Sequence, residues 1–277
     1  MSEILALLGE WLPVILALLL TGAIAGVLAG LLGVGGGIVI VPVLYLVFQS
    51  LGMEPGSAML VATGTSLLTI IPTSISSARA HHARGNVDTA LLRLWVAPMV
   101  IAVICGSLLA ARSGGLLLTA IFGTVAILVA LNMLLRANAP AVFQSLPGVP
   151  GQMGMAGGIG FFSVMMGIGG GTLGVPTMTL CNVPTHRAVG TAAVFGLVIA
   201  VPGALVMLLQ GVTPADAPAG TLGLVNLPGF AVIVPMTTLM APLGVRLGAK
   251  LDGATLKRVF AVFLIIVGVR MLWQTFA

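Results

Sequence analysis

Two glycine clusters are the parts of this sequence whose residue types and spacing most clearly predict a chemical role. "GVGGGIVIVP" runs from Gly33 to Pro42, and "GIGGGTLGVP" runs from Gly167 to Pro176. Three consecutive glycines, each about 1 kcal/mol less favourable in a helix than alanine, predict an interrupted helix at both places. A helix that restarts after such a break directs unpaired backbone N–H groups and its positive dipole end at one point. The clusters therefore predict two backbone sites for an anion.

Two other interpretations of these clusters compete with anion binding. A dinucleotide-binding loop does not fit, because Ile38 and Thr172 occupy the sixth position of the G-x-G-x-x-G pattern. Close packing between helices is a genuine alternative, since small residues let membrane helices approach each other. Packing accounts less well for three consecutive glycines followed both times by a short segment with a proline, so we favour the anion site.

Hydroxyl groups near the glycine clusters could complete an oxyanion site. The stretches "ATGTSLLTIIPTS" (62–74) and "AVGTAAVFGLVIAVPG" (188–203) each place a Gly-Thr pair early and a proline later. Their hydroxyls, that of Thr63 included, could bind an oxyanion or donate to the carbonyl one turn back, and both alternatives stay open. The expected substrate-binding residues are Gly35, Gly36, Gly37, Thr65, Ser66, Gly169, Gly170, Gly171, Thr172 and Thr191.

Basic residues gather in the stretches "SSARAHHARGNVD" (76–88) and "THRAVG" (185–190). His186 and Arg187 precede Thr191 closely, so they could attract an anion or, in the case of the histidine, exchange a proton. Fixing the orientation of the chain in a membrane is the competing explanation. The expected cytoplasmic entrance for an anion consists of Arg79, His81, Arg84, His186 and Arg187.

The composition of the chain indicates the environment in which these residues lie. Hydrophobic residues make up 59% and charged residues 6% of the 277 residues, and the mean hydropathy is +1.22. A soluble core could not hide so many apolar side chains, and runs of about 20 apolar residues can each cross the bilayer as a helix. The basic residues are scattered without an interleaved aromatic pattern, so no nucleic acid partner is expected. The sequence predicts an all-α polytopic protein whose partner is the lipid bilayer.

Ten apolar segments lie between turn signals along the chain. The second and seventh are too short to span alone, since helices of that length reach only about 20 Å. The segments are 12–33, 38–50, 58–79, 89–111, 115–135, 153–168, 172–182, 187–210, 227–248 and 255–276.

The sequence repeats itself in two halves. We expect a first membrane repeat at 1–136, a cytoplasmic linker at 137–152 and a second repeat at 153–277. Each half holds five segments, and the odd number predicts that the second repeat is inverted across the membrane, also if the short segments re-enter rather than cross. At an offset of 134 residues, Gly33, Gly35, Gly36, Gly37, Val41 and Pro42 fall on Gly167, Gly169, Gly170, Gly171, Val175 and Pro176.

Positive charge predicts the orientation of the protein, because cytoplasmic loops carry an excess of Lys and Arg. The first apolar run has no basic residue before it, so we do not expect a cleaved signal peptide. Both termini are expected on the periplasmic side. This places Arg79, Arg84, Arg93, Arg136, Arg187, Arg246, Lys250, Lys257 and Arg258 on the cytoplasmic side and only Arg112 and Arg270 outside.

Groups for catalysis are missing from the sequence pattern. No Asp or Glu falls in the central third of a segment, and no set of serine, histidine and acid residues shares one membrane depth. Neither Cys105 nor Cys181 has the spacing of a metal site. We therefore expect no enzyme activity, no catalytic residues, no metal and no cofactor.

The two copies "GLLGVGGGIVIVPVL" and "GIGGGTLGVPTMTL", each followed by a Gly-Thr span, and the duplicated "GSLLAARSGG" and "GVRLGAKLDG" segments resemble the TauE/SafE family of sulfite and organosulfonate exporters. The resemblance covers nearly the whole chain. It implies a transporter of the bacterial inner membrane that exports a small sulfur oxyanion or sulfonate, with sulfite the first candidate.

The expected function is export of this anion by alternating access. A passive small-anion channel would use the same backbone donors and is the first alternative. A membrane-embedded enzyme acting on a sulfonate is the second. Glycine-rich outer helices would also allow a homodimer.

Overall fold

A computed structural model of the chain describes residues 2–135, 141–209, 211–248 and 253–276, with side chains from Leu12 onward except for 253–260, 263 and 274–276. Arg136, Lys250 and positions 137–140 of the expected linker lie outside the described residues, as do the side chains of Lys257 and Arg258. The described helices are α1 (Ser2–Leu32), α2 (Gly37–Ser50), α3 (Pro55–His82), α4 (Thr89–Ser113), α5 (Gly115–Leu135), α6 (Val149–Met165), α7 (Gly171–Leu180), α8 (Thr185–Leu209), α9 (Leu227–Gly248) and α10 (Gly253–Phe276).

The all-α polytopic fold class is confirmed. Each of the ten predicted segments overlaps one of these helices. Six helices are long and apolar enough to cross a membrane, as judged by length and composition over the described residues. They are α3, α4, α5, α8, α9 and the Leu12–Leu32 part of α1.

The two short segments remain short as helices. α2 has 14 residues and α7 has 10, so they reach about 21 and 15 Å. α6 begins at Val149, inside the expected linker at 137–152, because proline in the first turn favours a helix start. Both short helices thus lie between longer ones without spanning by themselves.

Helix packing exchanges partners between the halves. α1 packs against α9, and its counterpart α6 packs against α4, so each half contributes one helix to the other. α3 packs against α8 and α5 against α10, which are the corresponding helices of the two halves. These contacts are the ones expected of two similar halves, while the bounds of the repeats and the inversion of the second half across the membrane stay predictions.

Glycines make these exchanged contacts close. A Cβ atom at Gly26 would lie 2.6 Å from the carbonyl oxygen of Thr237, and one at Gly160 would lie 2.8 Å from that of Met99. No larger residue fits there without moving a backbone, which is how small residues bring membrane helices together. The same packing rule therefore operates at α1–α9 and at α6–α4.

A short hairpin before α9 was not predicted. β1 (Thr221–Leu222) and β2 (Val225–Asn226) pair antiparallel, with Thr221 opposite Asn226 and Leu222 opposite Val225. β2 packs against α3, and Leu224, Val225 and Asn226 are buried. Strands of two residues leave too little alternation in a sequence to be recognised.

Candidate functional site

Left-handed glycines interrupt the chain before both short helices. The φ angles are 67° at Gly33, 71° at Gly35 and 79° at Gly36, and α2 begins at the next residue. Gly167 has φ 66° before α7 begins at Gly171. Residues with a Cβ rarely adopt these angles, so glycine is needed for the chain to turn between one helix and the next. The two predicted helix breaks are present in the structure.

The two glycine clusters lie against each other. A Cβ at Gly35 would lie 3.2 Å from Cα of Gly169, and one at Gly37 would lie 2.5 Å from the carbonyl oxygen of Gly167. Reciprocally, a Cβ at Gly171 would overlap the carbonyl of Gly33. We call residues 33–37 and 167–171 together the glycine crossing. Its tight backbone contacts show that close packing is one role of these glycines.

The glycine crossing also contains two helix starts. The first N–H groups of α2 and α7 have no carbonyl partner within their own helix, as at any helix start. Gly36 and Gly170 occupy the capping positions, and neither has a side chain that could accept from those groups. Close packing and free backbone donors therefore occur together at the crossing, and binding of an anion there stays a prediction.

Three hydroxyl side chains adjoin the glycine crossing. Ser66 Oγ donates to the carbonyl oxygen of Gly167 at 2.7 Å. Thr172, in the first turn of α7, is 2% exposed, and its hydroxyl has no hydrogen-bond partner among the described residues. Thr63 is fully buried, its hydroxyl has no partner in the same described part of the chain, and a Cβ at Gly167 would lie 2.9 Å from its Cα. Thr172 and Thr63 thus offer unused hydroxyls beside the crossing.

Thr65 and Thr191 both bond backbone that comes from the other half of the chain. Thr65 Oγ1 accepts from the backbone N–H of Asn226 at 2.8 Å, and Thr191 Oγ1 accepts from that of Asp88 at 2.9 Å. Asn226 directly precedes α9, and Asp88 caps α4. Thr191 Oγ1 also donates to the carbonyl of Arg187, one turn back. The structure thus assigns both threonines to holding the start of a helix from the other half.

The glycine before each of these threonines has a matching role. A Cβ at Gly64 would overlap the carbonyl of Leu224, and one at Gly190 would overlap the carbonyl of Asn86. The glycine of each pair therefore admits the incoming backbone, and the threonine accepts from the N–H group two residues further along it. Sequence reasoning missed Asp88 and Asn226 here, although Asp and Asn before an apolar run are typical helix caps.

A row of buried polar side chains follows one face of α3 from the glycine crossing to the end of the helix. Thr69 donates to the carbonyl of Ser66, and Thr73 Oγ1 lies 2.7 Å from Thr237 Oγ1. Ser77 donates to the carbonyl of Ala29. The row consists of Ser66, Thr69, Thr73, Ser77 and His81, all 5% exposed or less, and we call it the α3 polar row.

The basic residues expected at an anion entrance are divided among different surroundings. Arg187 forms an ion pair of 2.9 Å with Asp88, and His81 is buried with Nε2 2.9 Å from the carbonyl oxygen of Gly30. Arg79 lies on a groove between α3 and α9. The remaining two, Arg84 and His186, are exposed.

Two further features bear on the chemistry of the site. Ser163, four residues before Gly167, is fully buried and its hydroxyl has no partner, which sequence reasoning did not find. Its counterpart in the first half is Ala29, so the repeat gave no signal for it. Among the residues that the structure describes, no three His, Cys, Asp or Glu side chains are placed to hold a metal ion.

The described part of the chain has six long apolar helices and two short helices that start at a common crossing, which indicates a multi-pass membrane protein. The family model described as "Sulfite exporter TauE/SafE" matches residues 18–271, and the chain belongs to this family. The family resemblance found in the sequence is thereby confirmed.

Curated relatives carry consistent names. A "Probable membrane transporter protein" of Haemophilus influenzae is 33% identical over 259 residues, covering 93% of this chain and 97% of the relative. Probable membrane transporter proteins of Bacillus subtilis and Methanocaldococcus jannaschii are 27% and 25% identical, cover 93% and 95% of this chain, and match over 97% of their own length. No solved structure matches the chain. Family and relatives together make this protein a membrane transporter.

Proposed function

We propose that this protein exports a small sulfur oxyanion or sulfonate, with sulfite the first candidate, by alternating access across the bacterial inner membrane. The crossing of two interrupted helices carries the proposal, because it collects backbone donors without burying a charged side chain. The description of the family names sulfite export. Both termini would lie in the periplasm, as the distribution of basic residues predicts.

The anion would bind at the glycine crossing. Backbone N–H groups from the first turns of α2 and α7 would be the main donors, since donors that already point at the ligand need no rearrangement. The hydroxyls of Thr172 and Thr63 would add two more. A buried hydroxyl without a partner is unfavourable, and an oxyanion would satisfy both at once. Ser66 would support the site by fixing the carbonyl of Gly167.

The membrane potential would drive export without a buried carboxylate. Sulfite carries one or two negative charges near neutral pH, and a potential of 100 mV, negative inside, favours exit of each net charge by about 2.3 kcal/mol. Arg84, His186 and Arg187 would attract the anion at the cytoplasmic side, where Arg84 and His186 are exposed. No step in this scheme changes a covalent bond, so the protein would act without enzyme activity or cofactor.

Thr172→Val tests the site with little change in shape. Losing a hydrogen bond to a charged ligand should weaken sulfite binding by roughly ten- to a hundredfold, and potential-driven sulfite flux into liposomes should fall with it. Thr119→Val is the matched control, because Thr119 is equally buried but donates to the carbonyl of Gly115 in α5. Unchanged binding and flux in folded Thr172→Val would place the site elsewhere.

Glycine variants are a poorer test of the same site. A Cβ at Gly36 would lie 3.0 Å from the carbonyl of Ala25, and its φ of 79° is itself unfavourable for other residues. Gly36→Leu is therefore expected to disturb the fold as well as the site.

Flux through the wild-type protein distinguishes alternating access from a channel. Alternating access predicts saturation and counterflow, whereas flux without either would indicate a channel.

A further inference from the structure

A groove of about 510 Å³ lies between α3 and α9, apart from the glycine crossing. Its volume falls in the range of roughly 300–1,000 Å³ typical of sites for organic molecules, and a carbon-free oxyanion would fill little of it. Both flanking helices are long and apolar enough to span a membrane. The lining residues are Pro72, Ile75, Ser76, Arg79, Ala80, Thr238 and Pro242.

Two prolines explain why polar groups occur in this groove. Pro242 has no N–H, so the carbonyl of Thr238, one turn earlier, lacks its usual helical donor. Ser76 Oγ on α3 donates to that carbonyl at 2.9 Å and joins the two helices there. Thr238 and Arg79 both line the groove. The groove thus combines polar residues of two helices with one cation.

Arg79 supplies the charge of the groove. It lies in the last turn of α3, at the end of a candidate membrane span, and is exposed. Among the described residues the one ion pair joins Arg187 to Asp88, so no described carboxylate neutralises Arg79. Cations between helices at the end of a span are placed to meet lipid headgroups.

The other half of the molecule lacks this feature. Leu205 stands at the position corresponding to Arg79, and Val100 at the position corresponding to Thr238. A charge needed to build the fold would be expected in both halves, because their helices pack in the same pattern. The polar lining of the α3–α9 groove therefore occurs in one half of the molecule and is not required by the packing that the two halves share.

We propose that the α3–α9 groove binds the headgroup of an anionic phospholipid. Arg79 contacts the phosphate, and Ile75, Ala80 and the two prolines contact the glycerol region and the first methylenes. This site is separate from the anion site at the glycine crossing and does not depend on it.

The test is lipid retention by the full-length protein in detergent, measured by native mass spectrometry and by thermal unfolding. Phosphatidylglycerol and phosphatidylcholine with identical acyl chains are the probes, and sodium sulfite is added in a separate arm. Wild type is expected to retain phosphatidylglycerol in preference to phosphatidylcholine. Arg79→Gln should weaken phosphatidylglycerol binding roughly fivefold, as expected for one arginine near a membrane surface.

Arg84→Gln is the matched control, because it removes the same charge two residues beyond the end of α3. Equal retention of the two lipids by wild type, or equal losses in both arginine variants, would overturn the proposal. Protection by sulfite that depends on Arg79, without a preference for phosphatidylglycerol, would assign the groove to the transported anion instead. If Arg79→Gln does not fold, Ala80→Leu decides, since filling the groove should displace the lipid while keeping every charge.

Discussion

α3 and α8 occupy corresponding positions in the two halves and share one device. Each carries a Gly-Thr pair whose glycine admits a loop backbone and whose threonine bonds the N–H group before a partner helix. The loop before α9 is held by α3, and the loop before α4 is held by α8. A contact that recurs in both halves, despite different loops, serves the fold.

Beyond this pair the two helices differ. The α3 polar row, from Ser66 to His81, has hydroxyls and a histidine, whereas α8 is apolar at every matching position. Phe195 replaces Thr69, and its ring stacks on Trp95 with centroids 5.4 Å apart. The residues of α8 that match the row are Ala192, Phe195, Ile199, Gly203 and Met207.

The comparison separates what builds the molecule from what is free to serve transport. Features found in both halves, such as the glycine crossing and the Gly-Thr pairs, are constrained by packing. Features confined to one half, such as the α3 polar row and the groove at Arg79, are not required by the shared architecture. We therefore look for substrate specificity among residues confined to one half, which include Thr172 of α7 and the hydroxyls of α3, and for lipid specificity at the groove.

Breaking the shared device should have the largest effect. Gly64→Val and Gly190→Val each place a side chain on the backbone of an incoming loop, so we expect losses above about 3 kcal/mol in unfolding free energy and little recoverable protein. Size-exclusion chromatography and thermal unfolding in detergent measure this. If either variant is as stable as wild type, the pair is not a device common to both halves.

Removing only the threonine acceptors should have a smaller effect. Thr65→Val and Thr191→Val each leave a backbone N–H without its acceptor, which should lower the free energy of unfolding by about 1–3 kcal/mol. We expect the larger loss for Thr65, because its hydrogen bond to Asn226 is buried whereas that of Thr191 to Asp88 is only partly buried. Thr65→Ser keeps the oxygen and should restore most of the stability seen by thermal unfolding. The opposite order would show that the two loops are not held alike.

Exchanging residues between α3 and α8 sharpens the difference between them. Ser66→Ala removes the hydrogen bond to the carbonyl of Gly167. It should lower the free energy of unfolding by about 1 kcal/mol and reduce the sulfite flux in part. Ala192→Ser adds a buried hydroxyl that can donate to the carbonyl one turn back. We therefore expect the free energy of unfolding to change by less than about 0.5 kcal/mol and the sulfite flux to stay unchanged. Equal losses of flux from both exchanges would argue against a functional role confined to the α3 side.

The smallest effect is expected at the ion pair of the α4 cap. Arg187→Gln leaves the Asp88 cap intact, and a pair with a half-exposed arginine contributes less than about 0.5 kcal/mol. Thermal unfolding at low and high salt measures the loss, which should disappear at high salt. A large loss that persists in salt would mean that Arg187 holds the loop before α4 in another way.

The helices of this protein and their order could be predicted from local composition, whereas the β1–β2 hairpin could not. Apolar runs of membrane length, the two short segments and the glycines before them all follow from local composition, because a helix in lipid must satisfy its own backbone. The duplicated motifs indicated the family, because their residues and order can be read in the sequence without the structure. The inverted orientation, the boundaries of the repeats and the anion site remain predictions.

Tertiary structure alone decided which polar groups meet. Thr65, Ser66 and Thr191 look equivalent as hydroxyls in the sequence, but two hold loops from the other half and one bonds the glycine crossing. These partners lie about a hundred or more residues away. Local patterns carry no signal over such separations, because the contacts depend on how complete helices pack against one another. The hydroxyls of Thr172 and Thr63 have no hydrogen-bond partner among the described residues, which the sequence alone does not indicate.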